Sequence, residues 1–341
     1  MTNISKVAEL AGVSKSTVSR VLNGKANVNE KTKQKVLQAI EQLNYVPNAS
    51  ARALSLRKTN SIGIVLERLH DPFFSELIRG IGEKGEAEKF DLIYCDGKGD
   101  LEIKNRYIEY LTHGLVDGII IFGSYLKDEE LIRQLVNRHY PFVLIENELN
   151  DVQTNSILLD NVGAAMGATE HLLNLGHERI AHITGNMNTK AALDRLNGYI
   201  LTMQRKGILI AGDYVAYNYG NSKFFEEGYE SMKKLLALPE IPTAVVISDQ
   251  VRAFGAVRAI QEAGLSVPND IAVVSFDDRI YYDRYYTGPE LTAMQLPLYE
   301  MGKEAVKVLV QAIQDPSIPP ARKVFETHLL VRESCGAKKS L

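Results

Sequence analysis

The chain has only two cysteines, Cys95 and Cys335, far apart in its 341 residues. That excludes a disulfide framework and a cysteine-based zinc site, and it suits a reducing compartment. None of the seven histidines stands in an H-x-x-x-H or H-E-x-x-H pair, so no metal site is expected. There is no P-loop and no G-x-S-x-G elbow. With no catalytic constellation and no cofactor motif, the chain reads as a non-enzyme without a cofactor. No apolar run approaches the ~18–20 residues of a membrane span. The opening MTNISKVAELAG lacks a basic segment followed by an apolar one, so a cytoplasmic location is expected, with no membrane partner.

Hydrophobic residues make up 45%, enough for a full core. The formal net charge of −3 conceals a split. Residues 1–60 carry 10 Lys and Arg against 3 acids, a net of +7, while the remainder carries −10. One small basic part suited to a polyanion sits on a larger acidic body.

From Ser61 onward, short apolar runs alternate with amphipathic stretches. Strands are expected at Ile62–Leu66, Leu92–Cys95, Gly118–Phe122 and Phe142–Ile145, then at Arg179–Thr184, Tyr214–Tyr217, Ala244–Ile247 and Ile271–Phe276. Helical patterns lie between them, at 73–89, 101–113, 128–138, 162–175, 192–206, 224–237, 250–263 and 299–314. Continuous apolar runs separated by helices indicate parallel strands covered on both faces. The fold class is therefore α/β, with two doubly wound parallel-sheet lobes behind an all-α N-terminal segment. The first lobe is expected at about 61–160 and 292–320, the second at about 161–291 and 321–335. Residues 323–332 read as one or two closing strands.

Residues 1–46 read as helices only. The first spans Ile4–Ala11, with Val7, Ala8 and Leu10 available for a core. Gly12-Val13 breaks it, and Ser14 would cap a second helix at Lys15–Asn23. A third follows at Glu30–Leu43, capped by Asn29, with Val36, Ile40 and Leu43 inward. Two short helices joined by a Gly-containing turn form the helix-turn-helix pattern. In that geometry the second helix enters the major groove, which points Lys15, Ser16, Thr17, Arg20 and Asn23 toward base edges. Lys31, Lys33 and Lys35 suit phosphates. The competing reading of this segment is a solvated basic cap with no ligand.

Residues 7–23, VAELAGVSKSTVSRVLN, resemble the headpiece of the lac repressor (LacI/GalR) family. The resemblance continues in Asn44-Tyr45-Val46-Pro47-Asn48, Ala51-Arg52-Ala53-Leu54, Asp71-Pro72-Phe73-Phe74 and Ser275-Phe276-Asp277-Asp278, and so covers most of the chain. It implies a homodimeric transcription regulator that binds a pseudo-palindromic double-stranded DNA operator. It also implies a periplasmic-binding-protein-like effector domain over 61–341. Residues 47–60 would then be a hinge that folds on the operator in the minor groove, with Asn48 as a cap and Leu54 wedged between base pairs, Ala51 beside it. The other reading of Leu54 is packing on the effector domain.

Ligands of doubly wound sheets bind at the C-terminal strand ends. Glu146, Ser248 and Asp277 follow strands there. The resemblance matches Glu146, Arg195 and Asp277 to positions that hold ligand hydroxyls. Phe73 and Phe74 would stack on a sugar face. Tyr125, Phe224 and Tyr281 are further candidates, while Asp249 and Asp278 read as caps of the next helix or loop. The family pattern often has Asn at Ser248 and Asp at Glu146, so the ligand's identity stays open. So does the sign of its effect, as inducer or corepressor. Alternatives are a carbon-catabolite regulator docking a phosphoprotein at 77–89 and 299–310, or a soluble sugar receptor with no DNA role. Gly80-Ile81-Gly82-Glu83-Lys84-Gly85 matches G-x-G-x-x-G but sits inside a helical pattern, so packing is expected there instead of a dinucleotide.

Overall fold

The computed structural model describes residues 3–22, 28–45, 58–123, 125–220, 223–278 and 286–337. It contains two compact units, Met1–Thr59 and Asn60–Leu341.

In the first unit, Asn3 caps α1 (Ile4–Ala11) by accepting from the Ser5 and Lys6 N–H groups, both at 3.1 Å. Gly12 ends it at φ 63°, a left-handed conformation that glycine adopts without a Cβ clash. Ser14 Oγ then accepts from the Thr17 N–H at 3.2 Å and starts α2 (Lys15–Leu22). Asn29 accepts from the Thr32 N–H at 2.8 Å and starts α3 (Glu30–Gln42). The core is Val7, Ala8, Ala11, Val18, Val36 and Ala39, with Ile40 and Leu43 packed beside it. Leu10 does not join: it is 52% exposed. At 100° per residue it points away from the stripe that Val7, Ala8 and Ala11 share, and Ala11 takes the place expected for it.

Among its described residues the second unit holds two six-stranded sheets. Its elements run β1 (Ser61–Leu66), α4 (Ser75–Ala87), β2 (Asp91–Asp96), α5 (Leu101–Thr112), β3 (Gly118–Phe122), α6 (Glu129–Asn137), β4 (Phe142–Ile145) and β5 (Ser156–Leu159). There follow α7 (Asn161–Asn174), β6 (Ile180–Asn186), α8 (Lys190–Arg205), β7 (Val215–Asn218), α9 (Phe224–Leu236), β8 (Ala244–Ile247), α10 (Gln250–Glu262) and β9 (Ala272–Phe276). The last are β10 (Thr292–Gln295), α11 (Leu298–Gln314), β11 (Arg322–Phe325) and β12 (His328–Leu330). The sheet orders are β11-β5-β4-β3-β1-β2 and β12-β10-β9-β8-β6-β7, the same winding twice. Strands are parallel except β12, which runs antiparallel to β10. Each of β3, β4, β5, β8 and β9 is buried throughout, as expected of parallel strands covered on both faces.

The expected lobe boundaries need two corrections. Strand β10 (292–295) belongs to the second lobe, where Thr292–Met294 pair with Val274–Phe276. Strand β11 (322–325) belongs to the first, paired with Ser156–Leu159. The chain therefore passes between lobes three times among the described residues: after β5, after β10 and after β11.

Helix α11 packs on α4 at backbone contact. A Cβ on Gly80 would stand 2.1 Å from the Tyr299 carbonyl oxygen, and one on Gly302 would stand 2.4 Å from that of Leu77. The G-x-G-x-x-G glycines thus lie inside α4, and Gly80 serves packing. Among the described residues no helix is long and apolar enough to cross a membrane.

Candidate nucleic-acid interface and ligand cleft

Val18 is fully buried and fixes which face of α2 turns outward. That face carries Lys15, Ser16 and Arg20, all exposed, with Thr17 half-buried. The Ser14 hydroxyl also hydrogen-bonds the hydroxyls of Ser16 (2.7 Å) and Thr17 (2.9 Å), so these two side chains are held in place before any ligand arrives. No acidic residue occurs in α2. Lys31, Lys33 and Lys35 are exposed along α3, Lys33 lying 3.5 Å from Glu30. Asn23, Asn48, Ala51 and Leu54, with Arg52 and Arg57, lie outside the described residues.

The cleft of the second unit opens at the C-terminal ends of both sheets. Asp71 accepts from the Phe73 N–H at 2.9 Å and sets the short turn Pro72–Phe74 ahead of α4. This turn presents Phe73 and Phe74 to Phe122 at the end of β3. The three rings meet edge to face, with centroids 5.1, 5.8 and 4.9 Å apart. They wall a cavity of about 160 Å³ that Glu67, Arg195 and Asp277 also line. Phe224 closes it from the second lobe, with the Arg68 guanidinium 4.8 Å and the Arg252 guanidinium 4.5 Å from its ring centre.

Behind this wall lies a buried polar chain. Arg195 donates from Nε to Asn161 Oδ1 at 2.8 Å and from Nη1 to the Ser248 carbonyl at 2.5 Å. Its guanidinium lies 4.3 Å from the centre of the Phe276 ring. Asn161 in turn donates to Glu146 at 2.8 Å, and the Leu159 N–H donates to the other Glu146 oxygen at 2.6 Å. Burial pushes the Glu146 carboxyl above its ordinary range, against these two donors and the Arg195 charge.

Glu146 and Asp277 hold matching places, one residue past β4 and one past β9, at φ 60° and 69°. Their roles in the cleft differ. Asp277 lines the cavity; Glu146 is 7% exposed and faces the chain behind it. Ser248 is also turned inward, at 2% exposure. Of the six cleft residues expected, the structure brings Phe73, Phe74, Arg195 and Asp277 around one space and sets Glu146 and Ser248 behind it. Asp249 accepts from the Arg252 N–H at 2.9 Å and caps α10. Asp278 pairs with Arg332 at 2.7 Å. Tyr281 lies outside the described residues.

A second cavity of about 270 Å³ adjoins the first at Glu67, which lines both. Lys104 and Asp128 form a buried ion pair on its wall, 5% and 2% exposed. Tyr125 lines it too and bridges the lobes: it pairs with Thr189, and the Leu126 N–H donates to the Asn188 carbonyl at 3.1 Å. Sequence reasoning missed Glu67 and Lys104. Glu67 was within reach, since it directly follows an apolar strand, as Glu146 does. Lys104 carries no signal, because a lysine in an amphipathic helix reads as solvated.

The family model for bacterial regulatory proteins of the lacI family matches residues 3–48, and that for a periplasmic binding protein-like domain matches residues 169–335. The ribose operon repressor of Escherichia coli (strain K12) is 35% identical over 341 residues, covering 98% of this chain and 100% of its own. The solved complex of the transcriptional regulator CelR with cellobiose is 30% identical, with a TM-score of 0.73 over 98% of this chain and 100% of its own. The lac repressor dimer bound to operator and an anti-inducer is 26% identical, with a TM-score of 0.83 over 98% of this chain and 99% of its own. The basic helix-turn-helix unit and the twice-wound, cleft-bearing unit are thus the two halves of one known architecture, and the chain belongs to the lacI family of bacterial regulatory proteins.

Proposed function

We propose that the protein is a cytoplasmic repressor that binds a pseudo-palindromic operator as a homodimer and changes operator affinity when a sugar enters the cleft. The observation that carries the effector reading is the cavity in which three phenylalanine rings face Arg195 and Asp277. An aromatic wall accepts the apolar face of a pyranose. A carboxylate accepts two hydroxyl hydrogens, and a guanidinium forks onto adjacent oxygens. The DNA reading rests on α2, where Lys15, Ser16, Thr17 and Arg20 face outward without an acid among them. Asn23 would extend that face, and Asn48, Ala51 and Leu54 would serve the hinge.

The mechanism is linkage. DNA and sugar favour different lobe arrangements, and each weakens or strengthens the other's binding by the same factor. The expected docking face of a phosphoprotein, near 77–89 and 299–310, gives less support to the rival reading. Arg79 there is bonded to Glu76 and Glu83 and stacked 4.0 Å from the Tyr299 ring centre. The test is fluorescence anisotropy with DNA from upstream of the gene, with and without a sugar panel. Salt-sensitive preference over random DNA, altered by a sugar, is expected; equal affinity for random DNA at moderate salt would overturn the reading.

A further inference from the structure

We infer that the cleft is built for a saccharide of two rings, one in each cavity, and that Lys104, Asp128 and Tyr219 read the second ring. This rests on the sugar reading above and narrows it.

Size comes first. Small-molecule sites generally enclose roughly 300–1,000 Å³. The phenylalanine-walled cavity, at about 160 Å³, falls below that range. With the adjoining 270 Å³ cavity the space reaches it, and the two are neighbours at Glu67, which lines both, so a two-ring ligand would reach past Glu67 from one into the other.

The second cavity is also chemically different. Its walls come from both lobes: Lys104, Tyr125 and Asp128 from the first, Asn186, Asn188 and Tyr219 from the second. Carboxylate, ammonium, amide and phenol groups line it together, which matches hydroxyls that both donate and accept. Asp128 is 2% exposed; Lys104 holds one of its oxygens, while Oδ1 is buried with no hydrogen-bond partner among the described residues. A buried acceptor without a donor costs stability, and a small shift of the Asp128 side chain toward the cavity would let a ligand hydroxyl supply that donor. Tyr219 is 65% exposed at the rim, a face on which a second ring can stack.

Charge separates a neutral sugar from a sugar phosphate. Lys104 and Lys127 line the cavity with Glu67, Asp100 and Asp128, so the cations are matched by acids and Lys104 is already committed. A phosphate would meet carboxylates without a free cationic cluster to hold it.

The test is isothermal titration of the full-length protein with matched pairs: cellobiose and glucose, xylobiose and xylose, lactose and galactose, with glucose 6-phosphate added. In one pair the disaccharide is expected to bind about 30-fold more tightly than its monosaccharide, the equivalent of two or three net hydrogen bonds. Lys104→Gln and Tyr219→Ala are each expected to cut that preference by about tenfold; Tyr219, being exposed at the rim, can be replaced without disturbing the core. A monosaccharide that binds as tightly as its disaccharide overturns the two-ring inference and leaves the sugar reading standing. So does a preference that survives both substitutions, or glucose 6-phosphate as the tightest ligand. Absence of any saccharide binding overturns both.

Discussion

Glu67 allows a test of the cleft that needs no ligand. Burial pushes its carboxyl up from 4.5 to about 7; Lys104 and Arg68 pull it down, and Asp128 and Asp71 push it further up. In the unfolded chain a glutamate titrates near its ordinary value. Between the two values the folded protein binds the proton more tightly than the unfolded chain does, so stability falls as pH rises through that window. Below about 4.5 both states are protonated and nothing is lost. At ~1.4 kcal/mol per pH unit, the full cost above pH 7 is about 3 kcal/mol. Water in the open cleft screens the charge and reduces this to about 1–2 kcal/mol. Glu67→Gln keeps the shape and removes the titrating group. The variant should match the parent near pH 4.5 and exceed its stability by about 1–2 kcal/mol at pH 8. Denaturation midpoints of the two full-length chains, followed by circular dichroism from pH 5 to pH 8, read the difference directly. A gap that stays constant across that range refutes the reasoning, as does one that narrows with rising pH.

The helix pair α4 and α11 offers an internally controlled test. Gly80→Ala forces a methyl to 2.1 Å from the Tyr299 carbonyl and should cost about 2–3 kcal/mol in thermal denaturation. Gly82→Ala, with nothing within 4 Å, should instead gain about 0.5–1 kcal/mol from helix propensity. Ser14→Ala removes the acceptor for the Thr17 N–H and should cost the first unit about 1 kcal/mol, read by its melting. Arg195→Lys cannot reach both Asn161 and the Ser248 carbonyl, so anisotropy should show sugar response weakened about tenfold or more with sugar-free operator affinity retained.

Much of this fold is legible in the sequence because parallel strands covered on both faces cannot alternate. Gly118–Phe122 is an unbroken apolar run and forms a strand with those same bounds. Thr292–Gln295 and Arg322–Phe325 offer no such run: the first is four residues ending in an exposed glutamine, the second a largely exposed edge. Strand β11 pairs with β5, far away in sequence, while β10 pairs with β9, the strand just before it, with no apolar run to announce it, and so their lobes were misassigned. The cleft shows the same limit. Strand ends pointed correctly to Asp277 beside the cavity. Nothing in the order of residues tells that Glu146, at the matching place in the other sheet, is occupied by the Leu159 N–H and Asn161.

The three passages of chain between the lobes have a mechanical consequence. They leave from β5, β10 and β11 and enter α7, α11 and β12 in turn; β11 and β5 in one sheet, and β12 and β10 in the other, are the outermost two strands at one margin of each. The lobes are therefore bound along one side, like the boards of a book along its spine. Strands β3 and β6, which lead to Tyr125 and Thr189, stand three and four strands in from that margin, or roughly 15–20 Å at ~4.8 Å per strand. A rotation of about 10° about the spine would move them by about 3 Å, enough to break a hydrogen bond. The bond from Leu126 to Asn188, at 3.1 Å, thus stands where leverage is large, beside the cavity a second sugar ring would fill.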